Sequence, residues 1–168
     1  VLLTFDNVKL NLIADVPLFI LIVKELFKWK LPTFKVPAIM WVLYLGLYWI
    51  PVAFFISIIE STMAFISPEI FFEKAVIHTI ALGYFVTVLV GFGTRVILGH
   101  SGSTPHANNF AIFIFVSIQV ITLLRIFASF STNFGLNYQS LLNLTAILLV
   151  VGLLLWSSKY ITILLKGK

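Results

Sequence analysis

Apolar runs such as LFILIV, VAFFISII and NLTAILLVVGLLLW leave this chain little surface to present to water. Over 168 residues it is 61% hydrophobic and only 10% charged, with a mean hydropathy of +1.12. A soluble domain carries about 25% charged residues. Lipid must therefore solvate most of the surface, and the sequence reads as an integral membrane protein.

A bilayer is crossed by about 20 apolar residues in helical form. Five such stretches are expected, at residues 8–27, 37–66, 72–98, 106–131 and 137–165. The first is the weakest, holding Lys9, Asp15, Pro17 and Lys24. Pro37 suits the start of the second, and Pro51 should kink its interior. The connections KWKLPTFK, SPE, GHSGSTP and STNFGLN are short, so consecutive helices should be antiparallel neighbours. The expected fold is an all-α polytopic transmembrane bundle of about five spans in up-down order, forming a single domain.

Loop charge sets the orientation. Lys24, Lys28, Lys30 and Lys35 cluster between the first two stretches, Lys159, Lys166 and Lys168 lie at the C-terminus, and Arg95 lies near the end of the third stretch. The other two connections hold Glu69 and Glu73 against Lys74, or no charge. This predicts a cytoplasmic C-terminus and an N-terminus outside. The net charge of +5 thus belongs to membrane topology and is not a nucleic-acid signal. The absence of cysteine excludes disulfides, Fe–S clusters and thiolate metal sites. A start at Val1, with no charged segment leading to a cleavage site, reads as lacking a signal peptide and as a piece of a longer protein, one part of a larger bundle.

The stretch HTIALGYFVTVLVGFGTRVILGHSG, His78 to Gly102, has a histidine near each end. On an unbroken helix, His78 and His100 are separated by about 33 Å. They belong to two sites or to none. Between them Gly83, Gly91 and Gly93 suit close helix packing, or the approach of a flat cofactor. Gly91-Phe-Gly93 lacks the strand and third glycine of a dinucleotide loop. GHSGS is not a nucleophile elbow, because position 103 is serine.

Ionisable groups inside a membrane are costly and mark candidate sites. Counting about six residues from the outer helix ends places His78, Arg125, Asn143, Glu60 and Asp15 in one layer, about 9 Å deep. Either Arg125 pairs with Glu60 or Asp15 while His78 and Asn143 complete a polar network, or the layer holds a cofactor. A neutral imidazole can ligate haem iron, and an arginine can hold a propionate. Trp41, Tyr44, Tyr48 and Trp49, with Tyr84 and Phe85, offer aromatic walls or ordinary packing. A second set, Arg95, His100, Ser101 and His106, lies at the other end. Two loop histidines suit a metal such as copper, or are simply solvated, and Arg95 suits a snorkelling edge arginine.

The ending Thr-Arg followed by Leu-Gly-His-Ser-Gly resembles the signature of the NnrS proteins. PAIMWVLYLGLYWIPVAF resembles that family's preceding helix, LLRIFAS the following one, and LLNLTAILLVVGLLLWSSKYITILLK the last. The similarity runs from about Pro37 onward and resembles the C-terminal half of the family, whose members have more spans. It implies a bacterial inner-membrane protein containing haem and copper, acting in defence against nitric oxide and nitrosative stress. By the same resemblance His78, Arg95, His100 and Arg125 match characteristic positions, which makes His78, Arg125 and Arg95 candidates for cofactor binding and His78, His100 and His106 candidates for metal. Expected partners are the bilayer, the missing N-terminal half or another membrane subunit, and nitric oxide as a small ligand. Serine at position 103 replaces the family's basic residue there, which speaks against anion binding at that turn. Two other classes remain open on the residues alone. One is a cofactor-free structural or assembly subunit of a respiratory complex, in which every polar residue plays a pairing role. The other is a transporter with helices broken at Pro51 and the glycines.

Overall fold

A computed structural model describes residues 8–31, 35–67, 69–70, 72–102, 104 and 106–166. Ser103, Pro105 and Lys168, used above, lie outside the described residues. Among the described residues the architecture is an all-α bundle of five helices in chain order: α1 (Val8–Trp29), α2 (Ala38–Ile66), α3 (Ala75–His100), α4 (Asn109–Phe130) and α5 (Tyr138–Lys166). Among the described residues four helices are long and apolar enough to cross a membrane, namely Ala38–Ala64, Ala75–His100, Asn109–Phe134 and Tyr138–Leu165. Helix α1 is not among them, because Lys9, Asp15, Lys24 and Glu25 interrupt it. It packs on α2.

Local chemistry sets the helix ends. Pro37 precedes α2, and the helix continues through Pro51, which is buried. Lys74 adopts a left-handed conformation before α3. Asn108 caps α4, its side-chain oxygen accepting from Ala111 N–H at 2.9 Å, which satisfies a donor that a helix start leaves open. A short 3-10 turn, Ser131–Phe134, closes α4, and Gly135 at φ 70 reverses the chain. Asn137 then accepts from Ser140 N–H at 3.1 Å, capping α5.

The bundle's interior is partly polar and its exterior apolar. Phe85, Leu89 and Phe92 of α3 are exposed, whereas Thr87, Gly91 and Thr94 are buried. Small residues let membrane helices approach closely, and lipid accepts the large apolar side chains. Three buried threonine hydroxyls donate back along their own helices: Thr79 to Ala75 O, Thr94 to Val90 O and Thr122 to Ile118 O, at 2.7 to 2.8 Å. Two apolar clusters hold the helices together. Val42, Val90, Ile114, Phe115, Ile118 and Tyr160 fill the half nearer His100. Ile56, Phe72 and Ala75, with Ile126 and Phe130, fill the half nearer His78.

Residues Thr79–Val86 of α3 are π-helical, between α-helical flanks. Hydrogen bonds in such a turn span five residues, and π turns inside α-helices are frequent at functional sites. His78 immediately precedes this one.

Candidate functional site

The polar groups expected in one layer do not form one group: α3 separates Asp15 and Glu60 from His78 and Arg125. On one side lies a cavity of about 400 Å³ between α1, α2 and α3. Asp15, Ser57, Glu60 and Ser61 line it, opposite Val76, Ile77 and Ile80. Asp15 is only 3% exposed and accepts from the Ser57 hydroxyl at 2.5 Å. Glu60 has no hydrogen-bond or ion-pair partner among the described residues. Removing the Ser57 hydroxyl leaves the buried Asp15 carboxylate without its donor, so Ser57→Ala should cost about 1–3 kcal/mol. Thermal unfolding in detergent checks this, and a midpoint equal to that of the wild type would show that Asp15 does not depend on Ser57.

His78 lies on the other side of α3. Val76, Ile77 and Ile80 face the cavity, and at about 100° per residue His78 points roughly the opposite way. There the helix packs against α4, and both Arg125 and Lys74 lie within electrostatic reach of the imidazole. Arg125 Nη1 donates to Leu142 O and to Thr145 Oγ1, each at 2.8 Å, tying α4 to α5. Two nitrogens here are buried without a partner: Nε2 of His78 and Nε of Arg125.

Arg125 therefore does not pair with Glu60 or Asp15. The one ion pair among the described residues is Lys28 with Glu25. Asn143 stands outside the group: it is exposed on α5 and accepts from Gln139 Nε2 at 3.0 Å. Counting along each helix gives an expected depth for these residues but not the direction in which they point.

Three contributors escaped the sequence reading. Lys74 and Thr145 become relevant only once α3, α4 and α5 are assembled. The third, Gln119, sits mid-way along α4 and is half-buried. Trp49 Nε1–H donates to Gln119 Oε1 at 2.7 Å, and Gln119 Nε2 donates to Thr87 Oγ1 at 2.9 Å. Thr87 in turn donates to Leu82 O at 3.2 Å. Helices α2, α4 and α3 are thereby linked at the end of the π-helical segment. An amide inside an apolar stretch was the available signal.

At the opposite end the residues are more open. Arg95 is exposed and donates to Met40 Sδ at 3.1 Å. His100 is exposed at the end of α3, with Nδ1 3.0 Å from Val96 O. His106 is exposed in the connection to α4. Helix α3 runs unbroken between His78 and His100, so the two histidines occupy separate ends of it. Among the described residues no group of three or more His, Asp or Glu gathers to hold a metal ion.

The model of the family described as NnrS protein matches residues 1–168, the entire chain, and so includes the stretch before Pro37 as well. No curated protein and no solved structure matches the chain.

Proposed function

We propose, from the chain's belonging to the NnrS family, that its His78–Arg125 side is a haem site and that the protein acts in the bacterial inner membrane in defence against nitric oxide. The observation that carries this reading is the unpartnered, buried Nε2 of His78 beside two cations. A buried polar nitrogen without a hydrogen bond is costly, and ligating an iron removes that cost. The donor types present suit the group: an imidazole for iron and two cations for carboxylates. His78 would supply an imidazole nitrogen to the iron, and Arg125 and Lys74 would pair with the haem carboxylates. Arg125 keeps Nε free for such a carboxylate while Nη1 is fixed to α5. A bound haem would supply the iron at which a small ligand such as nitric oxide attaches.

Copper is proposed, secondarily, at His100 and His106. The His100 ring, held through Nδ1 by Val96 O, would present Nε2 outward, an arrangement common among metal-bound histidines. The basic loops and the C-terminus are proposed to face the cytoplasm, following the loop charges.

The test is an optical spectrum of the protein purified in detergent after expression with haem supplied. A Soret band in the wild type that is lost or shifted in His78→Ala supports the reading. The same band in both removes His78 as the ligand, and no band in the wild type, or in a longer form of the chain, removes the haem.

A further inference from the structure

We infer that Gln119 is a positioning residue: by linking Trp49 to Thr87 it holds the π-helical turn that aims His78 toward Arg125. The rotation is a property of the fold. Only its functional meaning rests on the haem reading above.

The argument begins with spacing. Ala75, Thr79, Gly83 and Thr87 are all buried and lie four residues apart. In an α-helix four residues turn about 400°, so each step overshoots a full turn by about 40°. Three steps accumulate about 120°, close to the angle of one residue. A straight α-helix would therefore carry Ala75 a third of a turn away from the face held by Thr87. The π-helical segment Thr79–Val86 absorbs this excess, because its wider turn accommodates an extra residue. If the segment reverted to α-helix with Thr87 to Thr94 still docked, everything N-terminal to it would rotate by about 100°. His78 would leave the side of Arg125.

Three contacts oppose that reversion. The Trp49 ring lies against Gly83, where a Cβ would stand 2.5 Å from Trp49 Cγ. Thr87 Oγ1 reaches the carbonyl of Leu82, five residues back. Gln119 fastens these two together, accepting from the Trp49 indole and donating to Thr87. Within an apolar bundle each of these polar groups depends on the others for satisfaction. A leucine at 119 would keep the bulk and abolish both bonds.

The chain contains no cysteine, so single cysteines placed at positions 76 to 80 report without background. Their reaction rates with a lipid-soluble maleimide map the outward face of α3. Ile77, 43% exposed, should give a maximum and Thr79, fully buried, a minimum. In the Gln119→Leu background the maximum is expected to move off position 77 to a neighbouring position. Gln119→Glu, protonated in the bilayer and able to bond at both ends, should keep the wild-type pattern. An unchanged pattern in folded Gln119→Leu overturns the inference. If that variant does not fold, Thr87→Val, nearly the same shape, removes the same link and is judged by the same criterion. A wild type without a Soret band alongside a shifting cysteine pattern refutes the haem site and leaves the positioning role standing.

Discussion

Gly83→Leu is expected to cost about 3 kcal/mol, the upper end for inserting atoms into a packed interior, and to lower the thermal midpoint in detergent accordingly. The first added carbon would already lie 2.5 Å from Trp49 Cγ and 2.6 Å from Cδ2. The obstacle is a rigid ring rather than the tip of a flexible chain. It cannot swing aside freely, because its N–H is engaged by Gln119. Relief requires α2 and α3 to separate or the indole to abandon its acceptor. Gly99 is the control: nothing lies within 4 Å of a Cβ placed there. Gly99→Ala removes only the backbone freedom of a helical glycine, so it should leave the midpoint unchanged or raise it slightly. Equal effects at the two positions would contradict this close packing of α2 on α3.

Arg125→Leu should loosen the start of α5 and, in the same protein, abolish retention of haem. Near this end Arg125 reaches Leu142 O and Thr145 Oγ1 on α5. Further along, α5 is tied to α3 by the Trp156 indole, which donates to Thr94 Oγ1 at 2.9 Å. Polar contacts between membrane helices contribute about 1–2 kcal/mol in model peptides and about 0.6 on average within a folded protein. The stability change should therefore be modest, and hydrogen exchange should rise over 138–147 while the region around Trp156 stays protected. Haem retention should change far more, since the charge proposed to pair with the haem carboxylates is gone. Arg125→Lys keeps that charge but loses the fixed fork, so it should fall between wild type and leucine on both measures. Uniform exchange along all of α5 would contradict the structural role, and undiminished haem in Arg125→Leu would contradict the role at the site.

How far the sequence reaches is clear from individual residues. The helices and their all-α arrangement were legible because apolar length and proline or asparagine punctuation are local properties. His78 and Arg125 were legible as unusual because ionisable groups in apolar stretches are rare. Direction was less legible. Asp15 and Glu60, expected at the depth of His78, line a cavity on the other side of α3, and Asn143 is exposed. The residues at 75, 79, 83 and 87 carry a readable signal in their period of four, which a regular α-helix cannot keep on one face. Gln119 had no such pattern. Its role comes from where α2 and α3 bring Trp49 and Thr87, a long-range outcome that no single helix encodes. Glycine spacing suggested either packing or a flat cofactor, and at Gly83 and Gly91 the near atoms are side chains of α2.

The central claim is that Nε2 of His78 binds the iron. The chain has three histidines, so protein grown with ¹⁵N-labelled histidine and loaded with haem can be read by pulsed electron paramagnetic resonance for nitrogen coupled to the iron. The account predicts a histidine ¹⁵N coupling that persists when His100 and His106 are both replaced by alanine and disappears in His78→Ala. A coupling that survives in His78→Ala, or that vanishes with the two loop histidines, would contradict it.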